Sequence, residues 1–184
     1  SPAVATSLII KNISYIYSYL NFKKQFSKND KKLIKNWVDD MLSNTLKRAS
    51  TLDTRIAAHN ALILWGSAFQ DDGYYENGKK LFYNDLNKNI KKNGTFAKGV
   101  RHNNEVMHQL IHGADVLSLN GEDIYSTNFK GFLLHDIIKI HSQWVIKEGS
   151  SKTKTEGDMR DEARSIMKSQ GYGTHLAWIP IYLS

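Results

Sequence analysis

Imidazoles mark the places where this chain could do chemistry. Within NGTFAKGVRHNNEVMHQLIHGADVLSLNG (93–121), Glu105, His108 and His112 recur at one-turn spacing. At about 100° per residue, Val106, Leu110, Ala114 and Leu117 share one helical face, and Glu105, His108, His112 and Asp115 share the opposite one. One side packs, and the other offers titratable groups or, in the blander alternative, a solvated polar face. Just ahead lie Arg101, His102, Asn103 and Asn104, a guanidinium and amides at a helix start, which suit a carboxylate. The alternative there is a plain N-cap by Asn103 with Arg101 facing solvent. A second centre is His59, followed by Asn60, inside the apolar run IAAHNALILWGSAF. Burial would keep that imidazole neutral, suited to a base, or to a core histidine bonded to a carbonyl.

The E-x-x-H-x-x-x-H spacing could align three metal ligands, but helical metal sites draw on a second helix and no HExxH is present. No metal and no cofactor is expected. A metal-binding helical bundle stays as a third reading. Serine-nucleophile, phosphate-loop and dinucleotide glycine patterns are missing.

The elements that must position these groups read as helices. Only Pro2 and Pro180 occur, so nothing interior forbids long helices. The first spans Val4 to Leu20, with Leu8, Ile9, Ile13, Ile16, Tyr17 and Leu20 as an inward stripe. The second runs from an Asn29 or Asp30 cap to about Lys47, with Leu33, Trp37, Val38, Met41 and Leu42 inward. Asp53 or Thr54 caps a third, Arg55 to Phe69, apolar nearly all round and so buried. Asp72-Gly73 breaks the pattern before a fourth, Tyr74 to Ile90. A fifth covers Asn103 to Leu119 and a sixth about Phe129 to Ile146. A polar loop, EGSSKTKTE, precedes a seventh at Asp158–Lys168 and a terminal HLAWIPIYLS. No stretch alternates as a sheet strand does. The expectation is one all-α domain over 1–184, built of stacked helical hairpins with inner helices covered by outer ones.

The 184 residues are 41% apolar, enough for a real core, and carry a formal charge of +7, which favours a polyanionic partner. A Lys- and Asn-rich bias of composition competes with that inference. The lysines are scattered and form no stripe for nucleic acid, so none is expected. No apolar run reaches the length of a membrane span, and the start lacks the pattern of a signal peptide. No membrane partner is expected, and oligomeric state is not readable. There is no cysteine, which excludes disulfides and thiolate metal sites.

Several segments together resemble the later part of the alginate lyase (poly-mannuronate lyase) family, polysaccharide lyases with an incomplete α/α toroid. IAAHNALILWGSAF resembles the helix carrying that family's Asn-His pair, and NGTFAKGVRHNNEVMHQL its glycine-aromatic turn, basic segment and acid/base residue. Gly121-Glu122-Asp123-Ile124-Tyr125 resembles its Gly-x-Asp-Leu-Tyr signature, and Leu176, Ala177, Trp178 and Tyr182 its closing helix. The resemblance runs from about Thr54 to the C-terminus. It implies β-elimination on a uronate polymer, an acidic polysaccharide partner and a secreted or periplasmic location. His59 and Arg101 would neutralise the substrate carboxylate, and His108 would act as acid and base. Asn60, His102, Asn103, Asn104 and His112 would contact substrate. Two departures stand out. Ala58 occupies the position where the family has Asn, leaving Asn60 as the neighbouring amide, and the family's Tyr has no Tyr counterpart. His108 fits its spacing, with His102 or His112 under other alignments. The competing reading is a non-catalytic helical module that binds acidic glycan or a protein partner.

Overall fold

The computed structural model describes residues 1–96 and 100–146, apart from the side chains of 100–102, 104 and 144–146. The expected helix at 158–168 and the terminal HLAWIPIYLS lie outside the described residues. The fold is all-α, with stacked helices α1 (Pro2–Phe22), α2 (Lys28–Arg48), α3 (Leu52–Phe69), α4 (Asp72–Asn89), α5 (Val100–Leu119) and α6 (Leu134–Ile146). Two short strands, β1 (Asn128–Phe129) and β2 (Phe132–Leu133), pair antiparallel before α6. They correct the expectation of no sheet and of a sixth helix from Phe129. Lys130 and Gly131, both at positive φ, form a tight turn that a helix could not accommodate. The chain forms two compact units, Ser1–Asp85 and one beginning at Leu86.

In the first unit α1 and α2 pack on α3 and on each other. Helix α3 is buried on every side from Ile56 to Gly66, as its sequence predicts. Tyr17, Trp65 and Phe69 form an aromatic knot with ring centroids 5.1–5.4 Å apart. Ile10, Val38, Leu42, Ala61 and Leu62 surround it. Helix α4 closes on α3 through glycine. A Cβ on Gly78 would stand 2.8 Å from Leu62 Cβ and 2.9 Å from Ile63 N, so only a hydrogen fits there.

Helix α1 corrects the stripe expected for it. Its buried face carries Ala3, Ser7, Ile10, Lys11, Ser14 and Tyr17, whereas Leu8, Ile9 and Ile16 are about half exposed, at 51%, 49% and 59%. Small residues win the interface because they bring two backbones close. Ser7 and Ser14 remove their own polar cost by donating to Ala3 O and Ile10 O, each at 2.8 Å. Burial lowers the Lys11 ammonium to about 8. On α2, Leu33 (68%) and Trp37 (56%) also point outward, against expectation, while Val38 and Leu42 are buried.

Caps explain the shifted boundaries. Ser27, rather than Asn29 or Asp30, is the N-cap of α2. Its hydroxyl accepts from Asp30 N at 3.2 Å, and Asp30 Oδ2 accepts from Ser27 N at 2.9 Å. Thr51 begins α3, with Thr54 Oγ1 accepting from its N–H at 3.0 Å, so Asp53 and Thr54 lie inside the helix. Asp72-Gly73 opens α4, and the break falls at Gln70, whose φ of 59° ends α3.

Candidate functional site

In the first unit, His59 sits on the face of α3 that also carries Arg55, one turn earlier. Asp85, near the end of α4, meets both. Arg55 Nε donates to Asp85 Oδ1 and Oδ2 at 3.0 and 3.1 Å, and Arg55 Nη1 donates to Ser50 O at 3.0 Å. His59 Nδ1 lies 3.3 Å from Asp85 Oδ2, within ion-pair distance although off the line of a hydrogen bond. Desolvation pushes the His59 imidazole below its ordinary value. The Asp85 carboxylate opposes this, and the Arg55 guanidinium adds to it. The outcome is a neutral ring at neutral pH. A carboxylate beside Nδ1 favours the proton on that nitrogen, which leaves the Nε2 lone pair to accept a proton. His59 is 6% exposed and Asn60 is fully buried.

Arg55 Nε–H is shared between the two carboxylate oxygens, and the carboxylate lies beside the imidazole without a hydrogen bond to it. Arg55 and Asp85 were not singled out from the sequence. Arg55 was readable as the i−4 neighbour of His59. The signal for Asp85 is an acid between Phe82 and Leu86, both fully buried, on a helix whose apolar stripe it interrupts.

The second unit holds the other predicted residues. Helix α5 starts at Val100, so Asn103 is a buried residue within its first turns and not the N-cap. Asn103 Oδ1 accepts from Phe96 N at 3.0 Å, tying the NGTF turn to the helix. His141 on α6 turns Nε2 toward the same oxygen at 3.1 Å and Nδ1 toward Ile137 O at 2.8 Å. A neutral imidazole has one N–H and can donate to only one of these oxygens. Burial nevertheless lowers His141 to about 4, with the Ile137 carbonyl pulling the other way. The turn itself needs Gly94, at φ 77°, beneath Ile140 and Phe132.

His108 and His112 lie edge to face with ring centroids 5.0 Å apart. The face they share with Glu105 and Asp115 is half-buried, in place of a fully solvated one. Val106, Leu110, Ala114 and Leu117 are buried, as their spacing predicts. Asp115 Oδ1 accepts from Tyr125 Oη at 2.5 Å, and the Tyr125 ring stacks on His135 at 5.3 Å. Tyr125, the last residue of Gly121-Glu122-Asp123-Ile124-Tyr125, is therefore anchored to the helix that precedes it. The side chains of Arg101, His102 and Asn104 lie outside the described residues, so their expected contribution to a carboxylate site does too. Among the described residues no three His, Asp or Glu side chains group to hold a metal ion, and no helix is long and apolar enough to cross a membrane.

No protein-family model matches the chain, and no curated protein or solved structure does.

Proposed function

We propose that the chain is a polysaccharide lyase that cleaves a uronate-containing polymer by β-elimination, with His59 as its base. The observation that carries this reading is the desolvated imidazole, with Nδ1 3.3 Å from an Asp85 carboxylate that also accepts from Arg55 Nε. Elimination needs a base that is unprotonated near neutral pH, and desolvation of His59 favours that form. The base takes the C5 proton and the C5 electron pair forms the C4–C5 double bond. The C4–O bond breaks, and O4 leaves with a proton from an acid. The C5 proton becomes acidic enough only when its carboxylate is neutralised. The resemblance gives that neutralisation to His59 with Arg101, and both the acid and the base roles to His108; the base role proposed for His59 rests instead on its desolvated ring beside the Asp85 carboxylate.

Incubation with alginate, polymannuronate and polyglucuronate tests the reading through the absorbance of the unsaturated uronate product. Growth of that band with at least one polymer is expected. Its absence on all three from acid to mildly alkaline pH would remove the lyase assignment.

One observation favours a second reading, a non-catalytic module that binds acidic glycan. His59 is only 6% exposed, as a purely structural imidazole would be. Saturable binding of a uronate polymer without any unsaturated product distinguishes it.

A further inference from the structure

A groove of about 270 Å³ opens between the first turns of α1 and the second half of α2, at the small end of ligand-binding cavities, which start near about 300 Å³. Its lining includes Thr6 of α1 and Trp37, Asp40, Met41, Asn44 and Arg48 of α2. The α2 members recur at three- and four-residue spacing, so one helical stripe presents an indole, a carboxylate, an amide and a guanidinium in order. Successive members are separated by about one turn, roughly 5 Å of axial rise. That is close to the advance per ring of an extended 1,4-linked pyranose chain.

Trp37 is 56% exposed, although an indole gains most by burial, and it lines the groove. A pyranose has an apolar C–H face that such a ring can cover. The groove's own polar groups are used unevenly. Thr6 Oγ1 donates to Pro2 O at 3.0 Å, and Asn44 Nδ2 donates to Asp40 O at 3.0 Å, which leaves the Asn44 side-chain oxygen as an acceptor. Asp40 and Arg48 take part in no ion pair among the described residues. Eight residues apart, they are separated by about 12 Å along the helix, too far to neutralise each other. Asp40 and Asn44 offer acceptors for hydroxyl groups, and the Arg48 guanidinium offers a partner for a carboxylate.

We infer that this groove is a binding subsite for an acidic sugar, with Trp37 as stacking platform and Arg48 as partner of a uronate carboxylate. The choice of ligand rests on the uronate-polymer reading above. The groove belongs to different residues from the His59 base, so it contributes to affinity and leaves the proton transfer untouched.

Titration with a mannuronate oligosaccharide, followed by calorimetry and by amide NMR shifts, tests it. Saturable binding is expected, with shifts at Trp37 and Arg48. Trp37→Ala lowers affinity at least tenfold, and Trp37→Phe retains part of it. Arg48→Gln weakens the mannuronate oligomer at least fivefold but leaves the carboxyl-reduced, neutral oligomer unaffected. If turnover is present, both variants raise KM and keep kcat. Binding sensitive to Trp37 and Arg48 without turnover on any polymer keeps the subsite and removes the lyase. Turnover with KM unchanged in both variants keeps the lyase and removes the subsite. No binding by the wild-type protein, or equal loss for charged and reduced oligomers in Arg48→Gln, overturns the inference.

Discussion

His59 Nδ1 and Asp85 Oδ2 are 3.3 Å apart, and both oxygens of that carboxylate accept from Arg55 Nε. Helix α3 supplies the imidazole and the guanidinium, one turn apart, and α4 supplies the carboxylate. Removing the imidazole while keeping size and polarity separates chemistry from packing. His59→Gln is expected to lower β-elimination by roughly 10²–10⁴-fold, the range for losing a positioned base. Its thermal midpoint should stay within a few degrees of wild type. Steady-state rates and a thermal melt check both.

Asp85→Asn keeps the shape of the acid and removes its charge. The His59 imidazole then loses the one influence that raises its proton affinity, so its protonation moves further down in pH. The acid limb of the pH–rate profile, expected below the ordinary 6.5 in the wild type, should move lower still. The variant should also lose about 1–3 kcal/mol of stability, because the partly exposed Arg55 guanidinium keeps an amide oxygen in place of the carboxylate. Urea denaturation measures that loss, and a pH–rate series measures the shift.

Acid should weaken the fold. His59 and His141 both hold protons less tightly in the native state than in the unfolded chain, where the ordinary value is 6.5. The unfolded state therefore binds more protons as pH falls. The stabilisation is complete above about 6.5 and is lost as pH drops toward the native values. For His141, lowered to about 4, the loss amounts to roughly 3 kcal/mol across that window. Urea midpoints at neutral pH and near the bottom of the window should show it, and His141→Gln should flatten the dependence.

Asn103 joins three segments through one oxygen: the NGTF turn by Phe96 N, its own helix, and α6 by His141 Nε2. Asn103→Ala leaves a buried N–H without its acceptor, and a loss of about 1–3 kcal/mol is expected. Faster hydrogen exchange at Phe96 should accompany it. Unchanged exchange there would show that the turn is held by something else.

Much of this architecture is visible in periodicity. A helix apolar on every side, α3, had to be internal, and Val106, Leu110, Ala114 and Leu117 had to face inward. Helix α1 defeats the same reasoning. Ser7 and Ser14 face the core and three of its large aliphatic residues face out, because close backbone approach to α3 outweighs side-chain area. The pattern of hydropathy carries no information about how near two helices can come. His59 and Asn60 are legible as polar residues in an apolar run. Their partner is not, since Asp85 meets His59 only once α4 has folded back along α3. The alternative of Asn103 as a plain N-cap fails for a related reason: its acceptor serves a turn and a distant imidazole, and neither is marked in the local sequence.

The central claim is that a neutral imidazole, set by Asp85 and Arg55, removes a proton from a uronate ring. The most direct measurement is the initial rate of unsaturated-uronate formation from polymannuronate by wild type and His59→Gln, side by side, at equal folded concentration. The account predicts a clear rate for the wild type and a loss of at least 100-fold in the variant. Equal rates for the two proteins would contradict it.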